Sequence, residues 1–405
     1  MKKKKNFVLS SLVLVLFLSD CTADTFDDKM GKTSWDESIN GQAPLAALLE
    51  REGLPASEFT SQFADGLIRS LDTDSTVVIS PYLLQMSLVW LAERADSDVR
   101  EELMAAMGLN GADLSACRQF FVLSSAFLEN RLTGGLSFAR SVWAQKGVPL
   151  QISTSASPSG KFDPHISYVD FEQRDETRQY MWEWMERIRP HAWDPQFLFD
   201  DIFPHDLRMA MLDVALFCDS LLLPFTNRTE QPFTCADGTV RTLSMASGVF
   251  GTLAYAENEQ VQGVMFPHSN GLTSLCVYLP REGCPMSDAM KNVPPFTEKE
   301  KATVRLTMPT FDFCNYVSWE GPLRRMGVNR LWEEEGALDK LSPQLFPISI
   351  GGQTQLKMQP SLMKKETDET SATADLSLVF NRPYFFRLVE NSTGLVLMEG
   401  QVAKL

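Results

Sequence analysis

Histidine is the side chain best placed for proton transfer near neutral pH, and the sequence has four, at positions 165, 191, 205 and 268. They lie far apart in the chain, with no His-Glu-x-x-His pair, no Gly-x-Ser-x-Gly elbow and no phosphate-cradling glycine loop around them. A triad assembled from distant segments stays open, because chain order does not fix geometry. Beyond Cys21, cysteines stand at 117, 218, 235, 276, 284 and 314, without a Cys-x-x-Cys or zinc-like spacing. Several fall inside apolar runs such as "VALFCDSLLL" and "TSLCVYLP", where cysteine serves as a small buried hydrophobe. These patterns lead us to expect no enzymatic activity, no metal, no cofactor and no disulfide framework. "MWEWMER" (181–187) offers aromatic faces for a ligand cage, but its spacing suits a helix that packs Trp184 inward.

One further stretch invites chemistry, as a substrate. "KKETDETSATADLSLVFNRPYFF", Lys364 to Phe386, passes from small polar residues into an aromatic strand within a few positions. A polar run of this kind is the type of exposed segment that proteases cut.

The start of the chain sets the compartment. "MKKKKNFVLSSLVLVLFLSDC" pairs four lysines with an apolar run from Phe7 to Leu18, too short to cross a membrane and typical of an export signal. Leu18-Ser19-Asp20-Cys21 is similar to a bacterial lipobox, with Asp20 in place of the usual small residue, and points to lipidation of Cys21. Residues 1–21 therefore read as a signal peptide. The polar, acidic stretch over 22–55 reads as a tether. Residues 56–405 contain no Pro/Gly/Ser-rich linker and no charge block, so a single large domain is expected. The net charge of −15 argues against nucleic acid and anionic lipid as partners, because phosphate contacts need a basic patch.

Helices come first and strands later. "SEFTSQFADGLIRSL" (57–71) spaces Phe59, Phe63, Leu67 and Leu71 along one helical face. In the following apolar segment Ser80 is a natural N-cap, and Pro81 fits a first turn that needs no N–H from it. "SDVREELMAAMGLN" opens at a capping Ser97 and closes at Gly108. From Leu136 the texture changes to short strands, "LSFARSVWAQKG", "TSLCVYLP", "TVRLTMPTFDF", "YFFRLVEN" and "LVLMEGQVA". "ENSTG" (390–394) joins the last two as a hairpin turn ending in the permissive Gly394. The class is α+β, a large mixed or antiparallel sheet backed by helices.

In this order the segments resemble the serpins over nearly all of 56–405. The carriers are "VVISPYLLQMSLVWLAERADSDVREELMAAMGL", "SFARSVWAQKGVPLQ", "YVDF", "LLLPFTNRTEQPFTCADGTVRTLSMAS", "LRRMGVNRLWEEEGALDKLS" and the terminal "FNRPYFFRLVENSTGLVLMEGQVAKL". The resemblance implies one domain of three β-sheets with about eight or nine helices. It also implies a reactive loop that a serine or cysteine protease cuts, after which the loop enters the main sheet as a new strand and carries the acylated protease to the far pole.

Set against that pattern, the loop and hinge are Glu366, Thr367, Asp368, Glu369, Thr370, Ser371, Ala372, Thr373, Ala374, Asp375, Leu376, Ser377 and Leu378, with Glu366 where the family has its hinge glycine. On insertion Thr367, Glu369, Ser371 and Thr373 would face the core, and burying an unpaired Glu369 carboxylate is costly. From Glu366 to Phe380 the chain makes fourteen steps, roughly eight fewer than an inhibitory serpin uses, so a cut after Leu376 leaves only about 33 Å of insertable strand. The missing residues are expected to include the scissile region and the edge strand after it, which leaves Leu376 and Leu378 as the plausible pocket-filling side chains.

The polar set that lets the family's sheet open is altered as well. Ser80 remains, but Leu83, Asp213 and Leu356 stand where family members carry serine, asparagine and histidine. Asp213 has three open readings: a cap, a partner for a base, or an alignment offset by one residue. Two functions follow. One is a non-inhibitory, extracellular or envelope-bound binding protein, expected to be a monomer that touches membrane only through its lipid. The alternative is an active protease inhibitor cleaved near Leu376 or Leu378.

Overall fold

The computed structural model describes residues 43–54, 59, 61–71, 75–132, 135–151, 162–190, 193, 206–221, 225, 227–296, 301–310, 312–359 and 374–405. Its first half is mainly helical: α1 (Leu45–Arg51), α2 (Ser61–Arg69), β1 (Val77–Ile79), α3 (Pro81–Arg94), α4 (Ser97–Ala106), α5 (Leu114–Arg131), β2 (Leu136–Gln145), β3 (His165–Val169) and α6 (Arg174–Ile188). Strands dominate the second half: β4 (Met209–Ser220), β5 (Asn227–Thr234), β6 (Val240–Glu257), β7 (Val261–Pro267), β8 (Thr273–Pro280), α7 (Met286–Lys291), β9 (Lys301–Pro309), β10 (Asp312–Ser318), α8 (Glu320–Arg325), β11 (Ile348–Gln359), β12 (Leu376–Val379), β13 (Tyr384–Glu390) and β14 (Val396–Val402).

A five-stranded sheet runs β10-β11-β4-β2-β3, and a nine-stranded system runs β1-β14-β13-β8-β7-β6-β9-β12 with β5 on β6. The second is two sheets sharing one strand. The first part of the 18-residue β6 pairs with β5 and β9, and its last four residues pair with β7. The bend falls at a register shift between Phe250 and Leu253, where Thr252 adopts a φ of 63°.

α3 is the central helix, and every residue from Pro81 to Ala92 is buried. A helix apolar on all sides belongs inside the core, and this one packs beneath the five-stranded sheet and beside the β14 strand. Its start is the one the sequence implies: Ser80 Oγ accepts from Leu83 N at 3.3 Å and donates to Leu397 O at 2.8 Å, which ties the helix to β14. β4 is buried on both faces. Met209, Met211, Ala215 and Phe217 join the main core, while Ala210, Leu212, Val214 and Leu216 pack against Met181, Trp184 and Met185 of α6. Trp184 therefore points inward, and the aromatic run of α6 is packing rather than a cage.

Two sequence expectations are corrected. The polar tether expected over 22–55 does not reach 55, because Leu45, Leu48 and Leu49 of α1 are buried in the main core. The N-cap of α4 is Asp96, whose carboxylate accepts from Val99 N at 2.9 Å, and Ser97 is the first helical residue. Gly108 ends that helix at a φ of 73°, with Leu109 N bonding back to Met104 O at 2.8 Å. The β13–β14 turn also forms as read: Gly394 has a φ of 72°, and the buried Glu390 carboxylate accepts from Ser392 Oγ and Thr393 N, each at 2.9 Å.

Candidate functional site

The middle of the five-stranded sheet is a parallel seam. β11 pairs directly with β4 through twelve residue pairs, from Ile348 opposite Met209 to Gln359 opposite Ser220, so no strand lies between them. On its other edge β11 is clasped by β10. A Cβ at Gly351 would run into the Tyr316 hydroxyl, and one at Gly352 would lie 2.8 Å from Trp319 Nε1. Two rings thus occupy the space that side chains would need, and only glycines allow the approach.

After Gln359 the chain runs through residues 360–373, which lie outside the described residues, and these include Glu366, Thr367, Asp368, Glu369, Thr370, Ser371, Ala372 and Thr373 of the expected loop. Cys21 and its surroundings lie outside them as well. Asp375 is fixed against β9, its N donating to Thr303 O and its Oδ2 accepting from Thr303 N, both at 2.9 Å. Leu376, Ser377, Leu378 and Val379 then form β12, parallel to β9, with Leu376 opposite Val304 and Leu378 opposite Leu306.

This corrects the expectation that the edge strand was lost. The Leu-Ser-Leu-Val alternation turns Leu378 into the core, where it is 1% exposed, and leaves Ser377 outward. Leu378 cannot fill a protease pocket from that position, and Leu376 is half-buried in the same strand.

Of the four residues expected to guard the sheet, Ser80 is the α3 cap and Leu83 is buried on the same helix. Leu356 is buried opposite Phe217, four positions along the ladder from Asp213, or about 13 Å. The residue opposite Asp213 on β11 is Gly352, so Asp213 and Leu356 do not meet.

Asp213 does meet a base, through an intermediary. Its Oδ1 accepts from Ser87 Oγ at 2.9 Å, and that hydroxyl accepts from Arg140 Nε at 2.9 Å. Arg140 faces Asp213 across the β2–β4 ladder and donates from Nη1 to Phe162 O at 2.8 Å. All three side chains are buried. Burial pushes Asp213 up to about 7, against the opposing pull of Arg140 and the Ser87 hydrogen bond. Burial likewise draws Arg140 down to about 10, so it keeps its charge at neutral pH.

Neither Ser87 nor Arg140 stood out in the sequence. A lone arginine in the apolar strand "LSFARSVWAQ" was the available signal, since a buried charge demands a partner.

The described histidines do not assemble a catalytic group. His268 is buried, bonds Thr273 Oγ1 through Nδ1 at 3.0 Å, and is pushed by burial to about 4. His165 lies on the edge strand β3 and bonds Ser167 Oγ at 2.8 Å, and His191 and His205 fall outside the described residues. Among the described residues no group of three or more His, Cys, Asp or Glu side chains could hold a metal ion.

An α+β domain with a buried central helix, a closed parallel seam and a single segment leading from that seam to an edge strand defines a protein built around one main sheet and its attached loop. The chain belongs to the serpin (serine protease inhibitor) family, which matches it over residues 56–405. It is 20% identical over 370 residues to plasminogen activator inhibitor 1 of Bos taurus, covering 86% of this chain and 91% of that one. The structure is similar to that of mouse protein Z-dependent protease inhibitor, with a TM-score of 0.74 and 18% identity over 87% of this chain and 98% of that one. It is similar too to the thermophilic serpin tengpin in its native state, with a TM-score of 0.73 and 17% identity over 86% and 94% of the two chains.

Proposed function

We propose that this serpin is a non-inhibitory, extracellular binding protein, held at the cell envelope through lipid on Cys21, with its sheet closed during function. The observation that carries the reading is the position of β12. With Leu376 already in an edge strand, the segment available for insertion ends at Asp375.

A strand from Glu366 to Ala374 spans about 30 Å, while the twelve-pair seam it would have to fill is about 40 Å long. An attached protease would stop short of the far pole. Insertion would also bury the Glu369 carboxylate, which opposes the speed that kinetic trapping requires. Two features favour inhibition instead: membership of the family, and the inhibitor names of the relatives. For that reading Leu376 or Leu378 would have to leave β12, and the buried Leu378 resists it.

The net charge of −15 favours a partner with a basic surface. Incubation with a panel of serine and cysteine proteases, followed by denaturing electrophoresis, separates the two functions. Nicked or uncut serpin is expected with every enzyme; an SDS-resistant adduct with any one of them would establish inhibition.

A further inference from the structure

We propose that Asp213 is a proton-operated catch on the β4–β11 seam: protonated, it lets the two strands hold together, and ionised, it favours their parting. The idea holds whether or not the segment at 360–375 inhibits anything.

The geometry is that of an acid under-provided with donors at the line where the sheet would part. Asp213 sits near the middle of the seam, 3% exposed, with Gly352 as its partner on β11. Its Oδ1 has the Ser87 hydroxyl, and its Oδ2 is buried without a hydrogen bond. The opposite charge is equally incomplete: Arg140 reaches Asp213 only through Ser87, and its Nη2 is buried without an acceptor. A carboxylate in that state has given up its water for a single neutral donor.

Among the described residues no side chain is hydrogen-bonded to Oδ2. β11 presents Gly352, which brings no side chain, and the Trp319 ring fills the space over it, its Nε1 buried and not bonded to Asp213. From α3 come Arg94 and Tyr82, whose hydroxyl pairs with Ser124 Oγ at 2.9 Å and is held protonated by burial. Asp163 and Arg94 act on Arg140 from opposite directions and are themselves ion-paired at 3.6 Å. Gly352 and the Trp319 ring therefore cover Asp213 on the β11 side, and separating β11 from β4 is the direct way for water to reach Oδ2.

The raised value of about 7 for Asp213 fits this placement. The sign follows from linkage. A carboxyl whose pKa is higher in the closed state than the ordinary 3.8 contributes stability that is complete below about 4 and lost as pH rises through about 7. Arg140 stays charged over this range, so Asp213 is the group that changes.

Hydrogen–deuterium exchange of the full chain tests the proposal, with rates corrected for intrinsic exchange and the β5–β6 hairpin as internal reference. Between about pH 5.5 and about pH 8.5, protection of β4 and β11 amides relative to the hairpin is expected to fall about 30-fold, and Asp213→Asn should abolish the fall. A fall of less than about 5-fold in the wild type, or one that persists in Asp213→Asn, overturns the proposal. If Asp213→Asn does not fold, Ser87→Ala serves in its place. Removing the one donor to the carboxylate should move the midpoint of the fall to higher pH, and an unmoved midpoint overturns the proposal as well.

Discussion

Two buried charge clusters hold this molecule in different ways. In the terminal hairpin, Arg387 on β13 contacts two acids directly: Nε donates to Glu399 Oε1 on β14 at 2.9 Å, and Nη2 donates to Asp65 of α2. Burial lowers the guanidinium's pKa, but the facing carboxylates more than reverse that and hold the proton more firmly than usual. At the seam, Asp213 and Arg140 share only a serine hydroxyl; each cluster keeps a buried carboxylate oxygen unbonded, Asp213 Oδ2 here and Glu399 Oε2 in the hairpin, but only at the seam does the arginine lack a direct bond to its acid. The first cluster joins a helix to the two paired strands of the terminal hairpin. The second lies on the parallel seam between β4 and β11, where the proposed catch would act. Charges bonded directly fix a junction, whereas charges bonded through an intermediary leave it conditional on protonation and solvent.

Removing the arginine of the direct cluster should be the most damaging change. Arg387→Leu strands Glu399, which is fully buried, and is expected to cost about 3–5 kcal/mol, read as a lower midpoint of thermal unfolding. A loss no larger than that of a surface substitution would mean that the hairpin cluster is not the firmer of the two.

Gly351→Ala probes the clasp between β10 and β11 and should cost less, about 1–3 kcal/mol, because the Tyr316 ring has to move aside. Adding Tyr316→Ala should restore part of that loss. If it restores nothing, the ring is not what demands the glycine.

Local signals carried much of the fold. Ser80-Pro81 marked the start of α3, Trp184 an inward helical face, and Glu390 to Gly394 a turn, because caps, periodicity and turn chemistry act over a few residues. The seam cluster was not legible in the same way. Ser87 and Asp213 are separated by 126 positions, and only the register of β2 on β4 sets Arg140 opposite them. Of the three readings of Asp213, pairing with a base is the one realised, through a hydroxyl that nothing in the local sequence singled out.

β12 escaped for another reason. Four residues give too short an alternation to distinguish a strand from the end of a loop, and its partner β9 is supplied from about seventy residues away. α1 was absorbed into a polar stretch because its seven residues, with leucines at 45, 48 and 49, are too few to show a helical period.

The central claim is that the segment between β11 and β12 does not enter the seam. Limited proteolysis within residues 360–375, followed by thermal unfolding of intact and nicked protein side by side, tests it directly. The account predicts midpoints that agree within about 5 °C, since nothing new is buried; a nicked form that unfolds well above that margin would show the cut strand lying between β4 and β11 and would contradict it.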